Sequence, residues 1–419
     1  MSTAEVIRRP FPRYWLSAFL ADFGDGVRMA AFPLLAVQVT GSAAAVAAVS
    51  AVQGLPWLVG GLGVGALVDR WDLRRTMVAV DVVRTAMVLA LTFAAAAGAV
   101  SLPLIYGTAF ATGIGSMIRD TAAGTAVPRI VDDERLDRAN GRLIAGTIVG
   151  NELAGPAVGG WLFGVAATLP FALNAGSLGI AVLLLLTLPS VFAPLPRRPE
   201  PTGIVRSGLR DVREGLAWLR RDRPVRNLVV SAGIVAAADG AYLAVLVLYV
   251  IRILHRDAAV YGLLLAIGAL GGIAAGTVGD RLSRALGSRW TLAATMIVMA
   301  GTQLVLVVTA NLVAAGLALA GSSAAFALFN TVSASTRQRR TPPGLLGRVN
   351  STYLTIGRGA EALGALGGGV LAGVAGVRAP ILAGVFPLLI AATLILRRPP
   401  DQPAPGGWPA SGGPPGSED

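Results

Sequence analysis

Eleven charged side chains stand inside long apolar segments of this 419-residue chain, and their chemistry needs an explanation. Holding an ionised side chain at the centre of a lipid bilayer costs at least about 3 kcal/mol, so such groups are expected to face protein or water. Carboxylates in that position can bind a proton or a cationic group. The eleven residues are Asp22, Asp25, Arg28, Asp81, Arg84, Arg119, Asp120, Glu152, Asp239, Arg358 and Glu361.

The acidic residues are the candidates for proton or substrate binding. Asp22, Asp25 and Arg28 are three residues apart, so they share one helix face and can form a neutral structural triplet. Alternatively, Asp25 binds a proton or a cationic substrate group, as does Asp239, which occupies the matching place in the second half. Glu152 has no opposite charge within a helical turn, and a buried carboxyl can exchange a proton near neutral pH. We rank Glu152, Asp25 and Asp239, in that order, as coupling candidates.

Three further pairs of opposite charge are close in sequence. They are Asp81 with Arg84, Arg119 with Asp120, and Arg358 with Glu361. The first two pairs lie toward the cytoplasmic ends of their segments, where long side chains reach the membrane surface, so we expect them in a cytoplasmic gate or in packing. The third is expected to be a stable pair.

The composition requires a membrane around these charges. Hydrophobic residues make up 54% of the chain and charged residues 14%, whereas soluble domains contain about 25% charged residues. The mean hydropathy is +0.67. Apolar stretches of roughly 20 residues, enough to cross a bilayer as helix, recur along the chain. We predict twelve spans, at residues 14–38, 43–68, 77–98, 102–126, 141–165, 168–191, 227–250, 259–279, 290–309, 312–332, 346–376 and 378–396.

The placement of arginine predicts the topology. All 35 basic residues are arginine; 28 of them fall in connectors on the side of the N-terminus and three on the opposite side. Because cytoplasmic loops carry the excess of basic residues, both termini are expected in the cytoplasm of a cell-membrane protein. The net charge of +12 could suggest nucleic acid as a partner, but this periodic placement fits topology better.

Several residue types are scarce or missing. Cysteine is absent and His255 is the one histidine, so thiolate metal sites are excluded and no metal is expected. A phosphate-binding loop needs lysine, which is also absent, so ATP is not expected as a direct energy source and no cofactor is predicted.

A lipid-modifying membrane enzyme would need clustered histidine, cysteine or carboxylates at one interface. A membrane sensor or scaffold would be expected to carry a large soluble domain.

The two halves of the chain repeat one another. Asp25-Gly26, Asp69-Arg70 and Asn140 recur as Asp239-Gly240, Asp280-Arg281 and Asn350, at offsets of 210 to 214 residues. Six spans keep the same orientation when duplicated, so the prediction is an all-α membrane protein of two parallel six-helix repeats around a central cavity. The expected domains are the halves 1–191 and 227–398, the linker 192–226 and a disordered cytoplasmic tail 399–419. The linker carries a helix that lies on the inner membrane surface or is solvated.

The segment from Gly65 to Arg75, in the loop after the second span, resembles a signature of the major facilitator superfamily. Asp72 and Leu73 stand where that signature has a glycine and a basic residue. The resemblance covers the chain up to the tail and implies a gate that closes the cytoplasmic side. The expected gate residues are Gly65, Asp69, Arg70, Arg74, Arg75, Asp280 and Arg281, together with Asp81, Arg84, Arg119 and Asp120.

A second motif, in the fifth span, is similar to one associated in that superfamily with export by antiport. Its residues are Gly146, Gly150, Gly155, Pro156, Gly159 and Gly160. Proline frees a backbone carbonyl and kinks the helix, and glycines allow close packing on the outer side, so plain helix packing is the alternative explanation. The stretch from Gly24 to Leu35, followed by Thr40-Gly41-Ser42, resembles the drug, macrolide and siderophore efflux branch.

The predicted function is export of a small amphipathic organic compound by proton antiport, with Asp22 and Arg28 as further substrate candidates. Uptake by proton symport is the alternative, because it uses the same fold. A monomer in the lipid bilayer is expected, and substrate identity does not follow from the residues.

Overall fold

Twelve helical spans make up nearly all of the described part of the computed structural model. It describes residues 10–60, 64, 68, 71–132, 135–188, 217 and 222–397. Spans 1 to 4 are Pro10–Val39, Ala43–Gly60, Leu73–Ala96 and Leu102–Ala126. Spans 6 to 12 are Leu169–Leu186, Arg223–Arg252, Ala258–Leu286, Ser288–Val308, Leu312–Arg340, Pro343–Ala375 and Arg378–Leu396.

The all-α architecture predicted from hydropathy is confirmed. The largest differences are at spans 8 and 10, which continue past their predicted ends to Leu286 and Arg340. These extensions are rich in arginine, so a hydropathy criterion stops before the helix does. The predicted linker helix, apart from residue 217, and the tail lie outside the described residues.

Span 5 is interrupted by a wider turn. An α-helix at Leu136–Thr147 continues as a π-helix at Ile148–Ala154 and then as an α-helix at Gly155–Val165. The Gly155 N–H donates to the Gly150 carbonyl, five residues back. Pro156 has no N–H, so the carbonyl of Glu152 cannot accept the usual hydrogen bond from four residues ahead. The expected disturbance at Pro156 is therefore present, as a π-helical turn.

Polar side chains cap the N-termini of several spans. The Asp72 carboxylate accepts from the Arg75 N–H at 2.8 Å, which caps span 3. Spans 7, 8 and 10 begin in the same way at Asp222, Asp257 and Asn311. Because the first N–H groups of a helix have no partner inside it, such caps define where a span starts. Asp72, which departs from the superfamily signature, thus serves as a cap.

Equivalent spans pair in the same way in the two halves. A Cβ on Gly26 would lie 2.4 Å from the Asn151 carbonyl oxygen, so only glycine lets span 1 approach span 5 so closely. A Cβ on Gly240 would lie 2.2 Å from the Glu361 carbonyl oxygen, which brings span 7 equally close to span 11. The Asp-Gly repeat in the sequence therefore marks equivalent helix contacts.

The apolar cores show where the two halves meet. One core, which includes Phe32 and Tyr249, contains residues of both halves at the end of the bundle remote from the N-terminus. At the N-terminal end each half has its own core, around Tyr14 and Met77 in one and around Phe329 in the other. Among the described residues, the halves thus share one apolar core at the remote end, whereas each core at the N-terminal end belongs to one half.

Seven described helices are long and apolar enough to cross a membrane on length and composition alone: spans 3, 6, 7, 8, 9, 10 and 12. The other five, spans 1, 2, 4, 5 and 11, all contribute residues to the space between the halves. Four of these five carry charged residues, so their lower hydropathy has a structural reason.

Candidate functional site: the central cavity and a buried charge network

A cavity of about 840 Å³ lies between the halves. It runs from Tyr14 and Val127, near the N-terminal end, to Pro33 and Tyr261, deeper in the bundle. This volume suits a drug-sized molecule. The polar and charged residues that line it are Asp22, Asp25, Arg28, Ser50, Gln53, Ser116, Arg119, Asp120, Asn140, Thr147, Asn151, Arg358 and Glu361.

Five charged side chains beside this cavity form one buried network across spans 1, 3 and 4. The Arg28 guanidinium donates to Asp25 at 3.1 Å. Arg84 donates to Asp25 and, at 3.0 Å, to Asp81. Arg119 donates to the second oxygen of Asp81 at 2.7 Å. The three arginines and Asp81 are at most 3% exposed. Positive and negative side chains alternate along the network, so each charge is paired and hydrogen-bonded. Such pairing lets charged groups stay inside the membrane.

Of the two roles expected for Asp81, Arg84 and Arg119, a cytoplasmic gate or packing, this network supports packing. Within the described part of the chain, their ion pairs all lie in the N-terminal half: one within span 3, one between spans 3 and 1, and one between spans 4 and 3. Arg119 pairs with Asp81 and not with its neighbour Asp120, because adjacent residues on a helix do not face each other. These three residues therefore stabilise the interior of one half.

Only part of the predicted triplet on span 1 forms. Asp25 borders the cavity, where two arginines hold it and the Ser116 hydroxyl donates to it at 3.3 Å. Asp22 does not pair with Arg28. Its carboxylate accepts from the Thr147 hydroxyl of span 5 at 2.7 Å, so Asp22 links spans 1 and 5 at the cavity wall.

Asp120 is a cavity residue that the sequence interpretation assigned to the gate. Its side chain is exposed to the cavity, close enough to Asp22 for their like charges to act on each other. Among the described residues, Asp22 and Asp120 are the cavity carboxylates outside ion pairs. The helical spacing of Ser116, Asp120 and Gly124 along span 4 was the signal that could have identified this position.

The C-terminal half contributes a neutral pair. Arg358 donates to Glu361 at 3.1 Å, as predicted, and both line the cavity. The Arg358 guanidinium also lies 5.8 Å from the centre of the Trp57 ring on span 2, so it contacts the other half. Asp239 is half-buried and does not line the cavity, although its neighbour Gly240 does. Asp25 and Asp239 thus differ in their relation to the cavity.

Glu152 is not the buried carboxyl that the sequence suggested. Its side chain is exposed and is absent from the cavity wall, whereas the preceding Asn151 lines the cavity. The π-helical turn that contains Glu152 changes the face on which successive residues stand, and a regular helix cannot predict this change.

The glycines of span 5 pack closely against neighbours on two sides. A Cβ on Gly155 would lie 2.7 Å from Gly26, and one on Gly159 would lie 2.4 Å from a carbonyl oxygen of span 1. A Cβ on Gly160 would lie 2.5 Å from the carbonyl oxygen of Ala258 in span 8. Gly146 and Gly150 face aromatic side chains and backbone of span 1. The predicted close packing is therefore observed, and part of it joins the two halves.

The remaining gate residues have mixed outcomes. Arg74 donates to the carbonyl of Leu186 and so connects spans 3 and 6, while Arg75 and Arg281 are exposed. Gly65, Asp69, Arg70 and the side chain of Asp280 lie outside the described residues, so their gate role stays a prediction.

Comparison with known proteins gives the family. Residues 2–402 match the family model described as transmembrane secretion effector, a group of the major facilitator superfamily. Uncharacterized MFS-type transporters of Mycobacterium bovis and Mycobacterium tuberculosis are 31% identical over 143 residues. That alignment covers 33% of this chain and 32% of each relative, so the chain matches about a third of their length.

Solved structures share the fold. A mutant of the nucleoside transporter NupG has a TM-score of 0.75 at 12% identity, covering 93% of this chain and 99% of that one. A bacterial homologue of the iron transporter ferroportin, in an inward-facing state, has a TM-score of 0.72 at 18% identity, covering 94% and 99%. These likenesses show a shared fold, and the match to the family model over residues 2–402 shows the family. The chain belongs to the major facilitator superfamily of membrane transporters.

Proposed function

We propose that this protein exports a small amphipathic organic compound in exchange for protons, by alternating access of the central cavity. The observation that carries the proposal is the cavity itself, which has mixed apolar and polar walls and, as far as the described residues show, two carboxylates outside ion pairs, Asp22 and Asp120. Apolar walls suit the body of an organic molecule, and a few convergent polar groups orient it. A carboxylate that can bind either a proton or a cation makes the two compete, which is the basis of antiport.

Asp22 and Asp120 are the first choice for this competition. Asp25 stands beside them but is neutralised by Arg28 and Arg84, so a change in its protonation would break two buried contacts. Protonation of Asp22 changes only its link to the Thr147 hydroxyl. Asp239 and Glu152, which do not line the cavity, follow as candidates for coupling in other states of the cycle.

Two arguments favour export. The family model that matches the chain is described as a transmembrane secretion effector. The Gly-Pro motif of span 5 is similar to that of antiporters. In the topology that arginine placement predicts, with both termini in the cytoplasm of a monomer, the ends at which each half has its own core face the cytoplasm and admit substrate from there. Closure there and opening at the remote end would release it outside.

The proposal can be tested in cells and in vesicles. Cells that express the protein should accumulate less of a transported compound than cells without it, and a protonophore should abolish the difference. Higher accumulation on expression would refute export and support uptake by symport.

In proteoliposomes that contain a pH-sensitive dye, the same compound should drive proton flux. Asp22→Asn or Asp120→Asn should reduce that flux, whereas Asp132→Asn, at an exposed position outside the cavity wall, should leave it unchanged. If all three variants kept the proton flux of the unmodified protein, both carboxylates would be excluded as coupling sites.

A further inference from the structure

The exposed ion pair of Arg358 and Glu361 stands where the two halves face each other across the cavity. We propose that the Arg358 guanidinium occupies the place of a planar aromatic cation, beside the ring of Trp57 and the carboxylate of Glu361, and that such a substrate displaces it. This inference rests on the proposed function, because it takes the central cavity as the substrate site. It adds the class of substrate and the residues that recognise it.

Three side chains from two spans meet at this point. The Arg358 guanidinium donates to Glu361 at 3.1 Å and lies 5.8 Å from the centre of the Trp57 ring. All three residues line the cavity. Span 11 provides the two charges and span 2 provides the ring, so the cluster connects the C-terminal half with the N-terminal half.

This ion pair differs from the pairs of the buried network in its exposure. The side chains of Arg358 and Glu361 are 55% and 43% exposed, whereas those of Arg84 and Asp81 are 1% and 0% exposed. An exposed ion pair contributes little to stability, so another cation can replace the guanidinium at low cost. The ring contact is also loose, because 5.8 Å is close to the limit of about 6 Å for a cation over an aromatic ring.

The ring and the carboxylate together select the ligand. The face of an aromatic ring is negative and attracts cations, and Trp57 offers the best such face among the amino acids. An extended planar ring can also stack on the indole, which is larger than a guanidinium. Glu361 favours a positive charge at the same place, and Asp22 and Asp120 elsewhere in the cavity wall disfavour an anion. A planar, positively charged ring system satisfies all of these groups.

Displacement of Arg358 would change a contact between the halves. Beside Arg358, a Cβ on Gly359 would lie 2.9 Å from the Leu58 side chain of span 2, so spans 11 and 2 are closely packed at this level. The contact of Arg358 with Trp57 lies where these two spans border the cavity. A bound cation would bridge the same two spans in place of Arg358, so both halves would be in contact with the substrate.

The proposal can be tested by binding alone. Equilibrium dialysis of the detergent-purified protein gives the Kd of N-methylacridinium, a planar aromatic cation. Acridine, kept neutral by a mildly alkaline buffer, is the matching uncharged ring. The variants are Arg358→Gln, Trp57→Leu and the double variant, and size-exclusion chromatography checks that each is folded. Arg378→Gln removes an exposed arginine outside the cavity wall and is the matched control.

We expect N-methylacridinium to bind more tightly than acridine. Arg358→Gln should lower the Kd of the cation about ten-fold, because both the ring and the carboxylate lose their internal partner. In the Trp57→Leu background the same change should lower the Kd only about three-fold, since only the carboxylate is released. Arg378→Gln should leave the Kd unchanged.

Two results would overturn the inference. An unchanged or higher Kd in Arg358→Gln would show that Arg358 does not compete with the cation. An equal gain with and without Trp57 would show that Arg358 acts through its charge alone. If the variants behave as expected but cells do not export N-methylacridinium, the site stands and the proposed export fails. If cells export it while Arg358→Gln leaves the Kd unchanged, export stands and the site fails.

Discussion

The buried network predicts a large and specific loss of stability on Asp81→Asn. Asp81 is 0% exposed and accepts from Arg84 at 3.0 Å and from Arg119 at 2.7 Å. Asparagine has nearly the same shape, so the change removes one negative charge and little else. Asp25 is then the one carboxylate left in the network to balance three buried arginines. Breaking a buried ion pair by removal of one partner costs about 3–5 kcal/mol.

This cost can be read as a change in melting temperature. For a unit of about 150–250 residues, 1 kcal/mol corresponds to about 2–4 °C, so the Tm of the detergent-purified protein should fall by roughly 6–20 °C. Thermal unfolding followed by size-exclusion chromatography measures the change. Asp120→Asn is the matched control: Asp120 is an exposed aspartate close by, and its substitution should change stability by less than about 0.5 kcal/mol.

A second substitution separates charge imbalance from general damage. Arg119→Met in the Asp81→Asn background removes one of the uncompensated cations, so the double variant should be more stable than the sum of the two single losses predicts. The reasoning would be refuted if Asp81→Asn melted within about 2 °C of Asp120→Asn, a difference of about 1 kcal/mol or less.

Three other outcomes can be checked with the same preparation. Gly160→Leu should disfavour closure between spans 5 and 8, because a Cβ there meets a carbonyl oxygen at 2.5 Å, and distances between spin labels should shift, whereas Gly164→Leu, with nothing within 4 Å, should not change them. Asp72→Ala should cost about 1 kcal/mol and speed hydrogen exchange at the start of span 3, and Ser101→Ala should not, since Ser101 begins span 4 without a capping hydrogen bond. Gln303→Leu should leave the Tm unchanged or raise it, because its amide is buried without a partner among the described residues; a fall would show that the amide is bonded.

The sequence predicted the parts of the fold that depend on one helix at a time. Span positions follow from local hydropathy, and the pair Arg358–Glu361 follows from a spacing of three residues. The pairing of Arg119 with Asp81 could not be predicted, because it depends on how spans 3 and 4 rotate against each other. Without knowledge of that rotation, the neighbouring Asp120 looked like the natural partner of Arg119.

Glu152 was misjudged for a different reason. The sequence showed a proline four residues ahead, but proline can produce a kink, a break or a π-helical turn. The π-helical turn determines which side of span 5 each residue faces, so exposure of Glu152 required the three-dimensional structure. Glycine contacts were easier to predict, since close backbone approach leaves no room for a side chain at these positions.

The single apolar core that joins the halves at the remote end has a thermodynamic consequence. Opening of that end would expose apolar surface to water, and such exposure raises the heat capacity. Apolar burial also stabilises less as temperature falls toward freezing. The balance between the two access states should therefore depend on temperature in a curved way, with cooling favouring the state in which the remote end is open.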